Sequence, residues 1–305
     1  MKRVVVTGAL GFIGFHLCSR LLEKGIEVYA IDSMIDKKTK HLQEEKWLRI
    51  GRNANFHFFD KQIGELNLRR LLKKADVIFH LAAATNQDLG WGDLRSVIKQ
   101  NVKTTQQLIE GCPKGIHVVY ASTIEVYGER TGIITEKTPT NPSTPYGLTK
   151  LVSESLLYKE SQKHGFSATI LRLPTIYGPW QREDMTYHKL IVSKEHNKEM
   201  TTVEGDRSTI DVMYIDDVIE GFLLSAAKKQ ATIYNFSSSK TGEWYRGCQM
   251  ITGKPEEIEK NRRLQVKVSG EKAKRELGFT PKISLEEGIN KQRQHIQQSL
   301  NMYKC

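Results

Sequence analysis

The chain has 305 residues, enough for one large domain or two of moderate size, and its 39% hydrophobic and 27% charged content is that of a soluble globular protein. No apolar run approaches the roughly 18–20 residues of a spanning helix, and Met1-Lys2-Arg3 enters a strand pattern too early for a signal peptide. The net charge of +11 comes from cations spread along the chain, with short clusters at Lys37–Lys40 and Lys260–Arg263, which argues against a nucleic-acid partner and fits a solvated surface or an anionic diphosphate ligand.

Cys18, Cys112, Cys248 and Cys305 have neither metal-ligand spacing nor a disulfide pattern, so we expect reduced thiols in a cytoplasmic protein and no metal site. Lys2–Thr7 is an apolar, β-branched run, the signature of a parallel strand buried on both faces. Gly8-Ala9-Leu10-Gly11-Phe12-Ile13-Gly14 follows, and then a helical pattern over Phe15–Lys24. Gly8, Gly11 and Gly14 let a turn close tightly and let backbone N–H groups approach a pyrophosphate at the helix N-terminus. A glycine triplet means little alone; here it follows a strand and opens a helix, as a dinucleotide site requires.

Glu27–Ile31 is the second strand, ended by Asp32. An acid about twenty residues past the glycines accepts bonds from ribose hydroxyls, and it repels a 2′-phosphate, which favours NAD over NADP. Lys37 and Lys38 nearby weaken that preference. Asn55–Phe59 is the third strand, with Asp60 at its end placed to meet an adenine amino group. A helix over Leu66–Lys74 and a strand over Asp76–Leu81 follow, running into Ala82-Ala83-Ala84, small residues that let the chain pass close to a cofactor. His80 reads as a packed strand residue rather than a catalyst.

Asp93–Cys112 is a long helix with Val97, Asn101, Thr104 and Leu108 as its spaced members. Ile116–Ser122 is the fifth strand, Pro145–His164 the next helix and Ala168–Leu173 the sixth strand. Strands and helices therefore alternate to residue 173, which predicts an α/β, Rossmann-type doubly wound parallel sheet. Its ligands bind at the carboxyl ends of the strands. Beyond Pro174 the regularity breaks. A helix over Tyr187–Lys194, another over Ile215–Lys229 and a strand over Thr232–Phe236 precede a polar, helical stretch to residue 305. The expected division is a cofactor domain of residues 1–172 plus 210–238 and a smaller, mixed substrate domain of 173–209 plus 239–305.

Within the Pro145–His164 helix, Tyr146 and Lys150 lie one turn apart on one face. A cation beside a phenol favours the phenolate and suits it to proton transfer near neutral pH. The spacing alone is common on solvated helices; the cofactor motifs give it weight.

Thr7-Gly8-x-x-Gly11-x-x-Gly14, Ser122-Thr123-Ile124-Glu125-Val126-Tyr127-Gly128, Tyr146-x-x-x-Lys150, Arg172-x-x-x-x-Tyr177-Gly178-Pro179 and Tyr214-Ile215-Asp216-Asp217-Val218 occur in this order. Together they resemble the extended short-chain dehydrogenase/reductases, specifically the NAD-dependent nucleotide-sugar epimerases and dehydratases. Lys274-Arg275-Glu276-Leu277-Gly278-Phe279 with Ser284-Leu285-Glu286-Glu287-Gly288 resembles that family's C-terminal signature, so the likeness spans the chain. It implies that Tyr146, as phenolate, takes the sugar C4 hydroxyl proton while the C4 hydride goes to NAD. Lys150 lowers the tyrosine pKa and binds the nicotinamide ribose, and Thr123 orients O4. It implies further that Phe12, Ile13, Leu81, Ala82, Ala83, Asn101, Ser122 and Pro174 join the cofactor site, and that Thr123, Ile124, Glu125, Thr175 and Arg182 face the substrate.

Glu125 matches the position where sugar 4,6-dehydratases keep a base for H5; Ile124 stands where they keep an acid. Thr175 and the Tyr177–Met185 loop resemble UDP-glucuronate 4-epimerases instead. A uronate carboxylate beside Glu125 would meet like-charge repulsion of about 4 kcal/mol at 4 Å and an effective dielectric near 20. The leading expectation is thus a dehydratase of the 4,6 or 5,6 type acting on a UDP-hexose or UDP-N-acetylhexosamine. A 4-epimerase is the alternative, and a non-catalytic NAD-binding sensor the third. Ile210 replaces an arginine common in relatives, which leaves Arg207, Arg182, Arg246, Arg262 and Arg263 as candidates for the diphosphate. A homodimer through the two long helices, a four-helix bundle, is expected.

Overall fold

The computed structural model describes residues 1–35, 39–85, 90–196, 211–253 and 266–302. Lys37, Lys38, Arg207, Ile210, Arg262, Arg263 and Cys305 lie outside the described residues.

The strands are β1 (Arg3–Thr7), β2 (Glu27–Asp32), β3 (Phe56–Asp60), β4 (Val77–His80), β5 (His117–Thr123), β6 (Gly132–Ile134), β7 (Ser167–Leu173), β8 (Thr175–Tyr177), β9 (Val212–Tyr214), β10 (Thr232–Asn235) and β11 (Val266–Val268). The helices are α1 (Phe12–Glu23), α2 (Lys40–Ile50), α3 (Leu68–Leu72), α4 (Leu94–Gly111), α5 (Pro145–His164), α6 (Thr186–Glu195), α7 (Ile215–Lys228), α8 (Glu243–Thr252), α9 (Glu271–Leu277) and α10 (Leu285–Met302).

The chain divides into two compact units. The first holds residues 1–128, 139–173 and 219–234. It is built on a seven-stranded sheet of order β10-β7-β5-β4-β1-β2-β3, with β1 to β5 and β7 joined in parallel register. The expected doubly wound sheet is present. Its central strands carry Val4, Val5, Val6, Ile78, Phe79, Val118 and Val119 with no more than 1% exposure, because helices cover both faces and every side chain must be apolar.

The second unit holds residues 129–138, 174–218 and 235–305. Two short parallel pairs, β8–β9 and β11–β6, lie in it. Segment 129–138 joins this unit through β6, a partnership that nothing local in the sequence announces.

The structure adds α2, absent from the sequence expectation. Only Gln43, Lys46 and Ile50 of this helix are buried, so it carries no apolar stripe for a period of 3.6 to reveal. The polar stretch after residue 240, expected to be helical, also contains strand β11. Strands as short as β6, β8, β9 and β11 show no legible alternation. Among the described residues no helix is long and apolar enough to cross a membrane, and no group of three or more His, Cys, Asp or Glu could hold a metal. Cys18, Cys112 and Cys248 are free thiols.

Candidate active site

The candidate site lies in the first unit, at the carboxyl ends of β1, β2, β4 and β5. Gly8 leaves β1 with φ +69°, and a Cβ there would sit 2.8 Å from the Ala82 backbone nitrogen. A Cβ on Gly14 would sit 2.0 Å from the Gly8 carbonyl oxygen. Glycine is required at both points because backbone passes backbone. Gly11 caps α1 without a side-chain bond, and the first turn of α1 carries no acid. Its leading N–H groups and dipole are left to an anion.

Asp32 and Asp60 are register partners at the ends of β2 and β3. Asp32 Oδ2 accepts from Leu10 N–H at 2.8 Å and Oδ1 from Ser33 N–H at 2.8 Å. Burial raises the Asp32 pKa, while these backbone donors and the Lys46 ammonium oppose the rise. Asp60 Oδ1 accepts from Met34 N–H at 3.1 Å. Two residues of α2 that sequence reasoning missed stand behind Asp32. Gln43 Nε2 donates to Asp32 Oδ1 at 3.4 Å, leaving Gln43 Oε1 buried without a partner. Lys46, 2% exposed, donates to the Leu10 carbonyl at 3.4 Å. The tight glycine cradle, the bare helix end, the paired acids and the orphaned Gln43 oxygen fit a dinucleotide. Gly8, Gly11, Phe12, Ile13 and Gly14 would hold its phosphates, and Asp32, assisted by Gln43, its ribose.

A buried polar chain joins the glycine turn to α5. Thr7 Oγ1 accepts from Leu81 and Ala82 N–H at 3.2 Å each and lies 2.8 Å from His80 Nδ1. His80 Nε2 lies 3.0 Å from Thr105 Oγ1, which itself donates to the Asn101 carbonyl. The Thr105 proton is thus spent, so His80 donates from Nε2 and accepts from Thr7 at Nδ1. Burial pushes this imidazole down to about 3, and the Lys150 charge adds to the effect; His80 is neutral and structural, as expected of a packed strand residue. Asn101 Oδ1 accepts from Ala84 N–H at 2.7 Å, and its Nδ2 donates to Thr149 Oγ1 at 3.0 Å. The segment Leu81-Ala82-Ala83 is thereby held to α4 and α5.

Thr144 caps α5 by accepting from Gly147 N–H at 3.0 Å, with Pro145 at the first helical position, a favourable start. Tyr146, half-buried, and fully buried Lys150 follow on one face. Lys150 Nζ donates to the Ala121 carbonyl at 2.7 Å and lies 4.7 Å and 5.6 Å from the ring centres of Tyr120 and Tyr146. A phenol with a cation this close is poised for proton transfer.

Thr123 ends β5, and its hydroxyl accepts from Glu125 N–H at 3.2 Å. Ile124 is 1% exposed. Glu125 Oε2 accepts from the Thr144 hydroxyl at 2.9 Å. The turn after β5 is thus tied to the start of α5, and a Cβ on Gly147 would sit 2.9 Å from the Glu125 carbonyl oxygen. Ser122, expected at the cofactor, points its hydroxyl to the Glu154 carboxylate.

In the second unit Pro174 is buried and Thr175 half-buried on β8, where Thr175 N–H donates to the Asp211 carbonyl at 3.3 Å. Arg182 Nε donates to Asp184 Oδ1 at 2.8 Å. Arg246, 65% exposed, pairs with Glu243 at 3.2 Å.

This fold, with a glycine turn after β1 and a Tyr–Lys pair on α5, is that of an extended short-chain dehydrogenase/reductase. Residues 4–236 match the NAD dependent epimerase/dehydratase family, and the chain belongs to it. It is 37% identical over 223 residues, 72% of this chain and 71% of the other, to an uncharacterized UDP-glucose epimerase, YtcB, of Bacillus subtilis (strain 168). It is 29% identical over 245 residues, 78% of this chain and 69% of the other, to the dTDP-D-glucose 4,6-dehydratase of Homo sapiens. The solved UDP-glucuronic acid 4-epimerase of Bacillus cereus in complex with NAD superposes with TM-score 0.84 at 31% identity, covering 97% of each chain.

Proposed function

We propose that the protein is a UDP-sugar 4-epimerase acting on a sugar that is uncharged at C6. Tyr146 takes the C4 hydroxyl proton and returns it after the sugar has turned over; Lys150 stabilises the phenolate; Thr123 orients O4. NAD supplies a reversible hydride acceptor when bound.

The observation that carries this reading is the hydrogen bond from Thr144 to Glu125. Water loss across C5 and C6 needs a base for H5 and an acid for the departing hydroxyl. Glu125 commits one oxygen to the Thr144 hydroxyl that caps α5, which ties the carboxylate to the helix start. Ile124, where an acid would stand, is a buried hydrocarbon. Epimerisation needs neither group. The names of the Bacillus relatives support UDP as the carrier, and the Glu125 charge disfavours a uronate by the like-charge argument given above.

A second reading, a 4,6- or 5,6-dehydratase, is favoured by the position of Glu125 itself, two residues after Thr123. The discriminating experiment incubates the purified protein with UDP-glucose, UDP-N-acetylglucosamine and UDP-glucuronate in heavy water and follows products by NMR and mass spectrometry. Epimerisation gives products of unchanged composition with no deuterium at C5, and Glu125→Gln keeps turnover within about threefold. Loss of water, with deuterium at C5 of a 4-keto-6-deoxy sugar or with H5 gone in a 5,6-ene, abolished in Glu125→Gln, would establish the dehydratase. A uronate as the preferred substrate contradicts the charge argument, and no product from any sugar leaves a non-catalytic NAD-binding protein. Ile98, Val152 and Tyr158 are exposed apolar residues of α4 and α5; we place the contact of a homodimer there, checked by mass in solution.

A further inference from the structure

Behind the Tyr–Lys pair lies a charged cluster that the reaction as described does not use. Glu154 follows Lys150 by one turn of α5 and is 3% exposed. Arg172 on β7 is 4% exposed and grips it as a fork, with Nε 3.1 Å from Oε1 and Nη2 2.6 Å from Oε2. Ser122 on β5 donates to the same Oε1. Arg172 Nη1 donates to the Tyr127 hydroxyl at 2.8 Å, and its Cζ lies 4.8 Å from that ring's centre. Two side chains, Arg172 and Ser122, thus hold one carboxylate one helical turn from Lys150, and Tyr127 in turn holds Arg172.

We propose that Glu154 is a positioning residue that keeps Lys150 charged, and so keeps Tyr146 ready to ionise, with Arg172 and Ser122 holding Glu154 in place. This rests on the reading of Tyr146 as the proton-transfer group.

The cluster contains two buried cations, Lys150 and Arg172, and one anion. Burial without a counter-charge is resolved by losing a proton. A guanidinium does not lose one in a protein, whereas a buried ammonium does so readily. Lys150 is therefore the soft member, and the carboxylate decides its state. Burial pulls the Lys150 ammonium down to about 7, against which Glu154 pulls it up. The other titratable groups facing it do not replace that anion. Tyr120 on β5 is held protonated by burial, and His80 on β4 is neutral. Tyr146, on the same helix, is the group whose proton is at stake.

The test is a spectrophotometric tyrosinate titration of the NAD-free protein, each variant read against its own Tyr146→Phe partner to isolate the one phenol. In Glu154→Gln the Tyr146 pKa should rise by about one to three units, the shift expected when a neighbouring cation is lost. Glu154→Gln strands Arg172, so the double variant Glu154→Gln/Arg172→Met, which removes the buried Arg172–Glu154 pair as a whole, is measured beside it, each checked for a cooperative melt. The same rise is expected there, and Glu154→Asp should recover part of it. A cooperatively melting double variant with the wild-type Tyr146 pKa overturns the proposal. The titration needs no substrate, so failure of the epimerase assignment and failure of this inference are read separately.

Discussion

Three glycine-to-alanine substitutions separate close backbone approach from backbone strain. Gly14 lies in the first turn of α1, and a Cβ there would stand 2.0 Å from the Gly8 carbonyl oxygen. Ordinary contact requires well over 3 Å, so helix and turn must part by roughly 1 Å or more in a close-packed interior. Overpacking of this kind costs about 1–3 kcal/mol, offset by the roughly 0.5–1 kcal/mol that alanine gains in a helix. The net loss of up to about 2.5 kcal/mol lowers Tm by up to about 10 °C. The displaced turn is also the proposed phosphate cradle, so NAD affinity should fall at least about tenfold, equivalent to about 1.4 kcal/mol. Gly8→Ala adds a strained φ of +69° to a Cβ 2.8 Å from the Ala82 nitrogen, and should lose more of both. Gly25 has the same φ of +69° with no atom within 4 Å of the added Cβ. Gly25→Ala should cost about 1–2 kcal/mol of stability and leave NAD affinity unchanged. Thermal melts with NAD titration by calorimetry decide the matter. If Gly14→Ala binds NAD as well as Gly25→Ala does, the cradle has been misread.

Lys46→Met leaves the Asp32 carboxylate buried beside Leu10 with one cation fewer; about 1–3 kcal/mol of stability should go, and NAD affinity should fall severalfold by calorimetry. Acid sensitivity should come from buried neutral imidazoles. Burial pushes His80 down to about 3 and His117 down to about 4. A base whose folded pKa is depressed contributes stability above its unfolded pKa of about 6.5, lost as pH falls toward the folded value, or about 2 kcal/mol each by pH 5. Urea midpoints at pH 7.5 and pH 5 check this, and His117→Gln should flatten the dependence. Asp211 in the second unit, pushed up to about 6 by burial, works in the opposite direction. Its ionisation costs stability as pH rises through about 6, so it should offset part of the acid loss, and Asp211→Asn should make the fall in urea midpoint from pH 7.5 to pH 5 steeper.

The parallel sheet was legible because strands covered on both faces must be apolar throughout, and Val4–Val6, Val77–Phe79 and Val118–Tyr120 leave little else to read. The Tyr146 and Lys150 pair was legible because helical geometry is local. Glu154 carried the same signal: residues 146, 150 and 154 share one helix face at steps of four, although the carboxylate's real partner, Arg172, is reached only across β7. Ser122 shows what motif reading leaves out: its place in the Ser-Thr-x-Glu motif says nothing of the Glu154 carboxylate, 32 residues on, that its hydroxyl meets. Lys46 was hidden for another reason: a buried lysine on a helix without an apolar stripe looks like any surface lysine until the carboxylate beneath it is seen.

Glu125 joins these lessons to the choice of reaction. A glutamate in that motif position has the chemistry of a base, and sequence stops there. Basicity depends on what else the carboxylate holds, and Thr144, 19 residues away, donates to it at 2.9 Å while also closing the N-terminus of α5. If that bond is what matters, Glu125 and Thr144 are one device that locks the turn after β5 to the helix bearing Tyr146. Thr144→Ala should then slow C4 chemistry through misplacement of Tyr146, with a lost cap worth about 1 kcal/mol, and should bring no deuterium into C5. If Glu125 is instead a base restrained by Thr144, freeing it should introduce deuterium at C5 where the wild type shows none. The sign of that single isotope measurement separates an anchor from a catalyst.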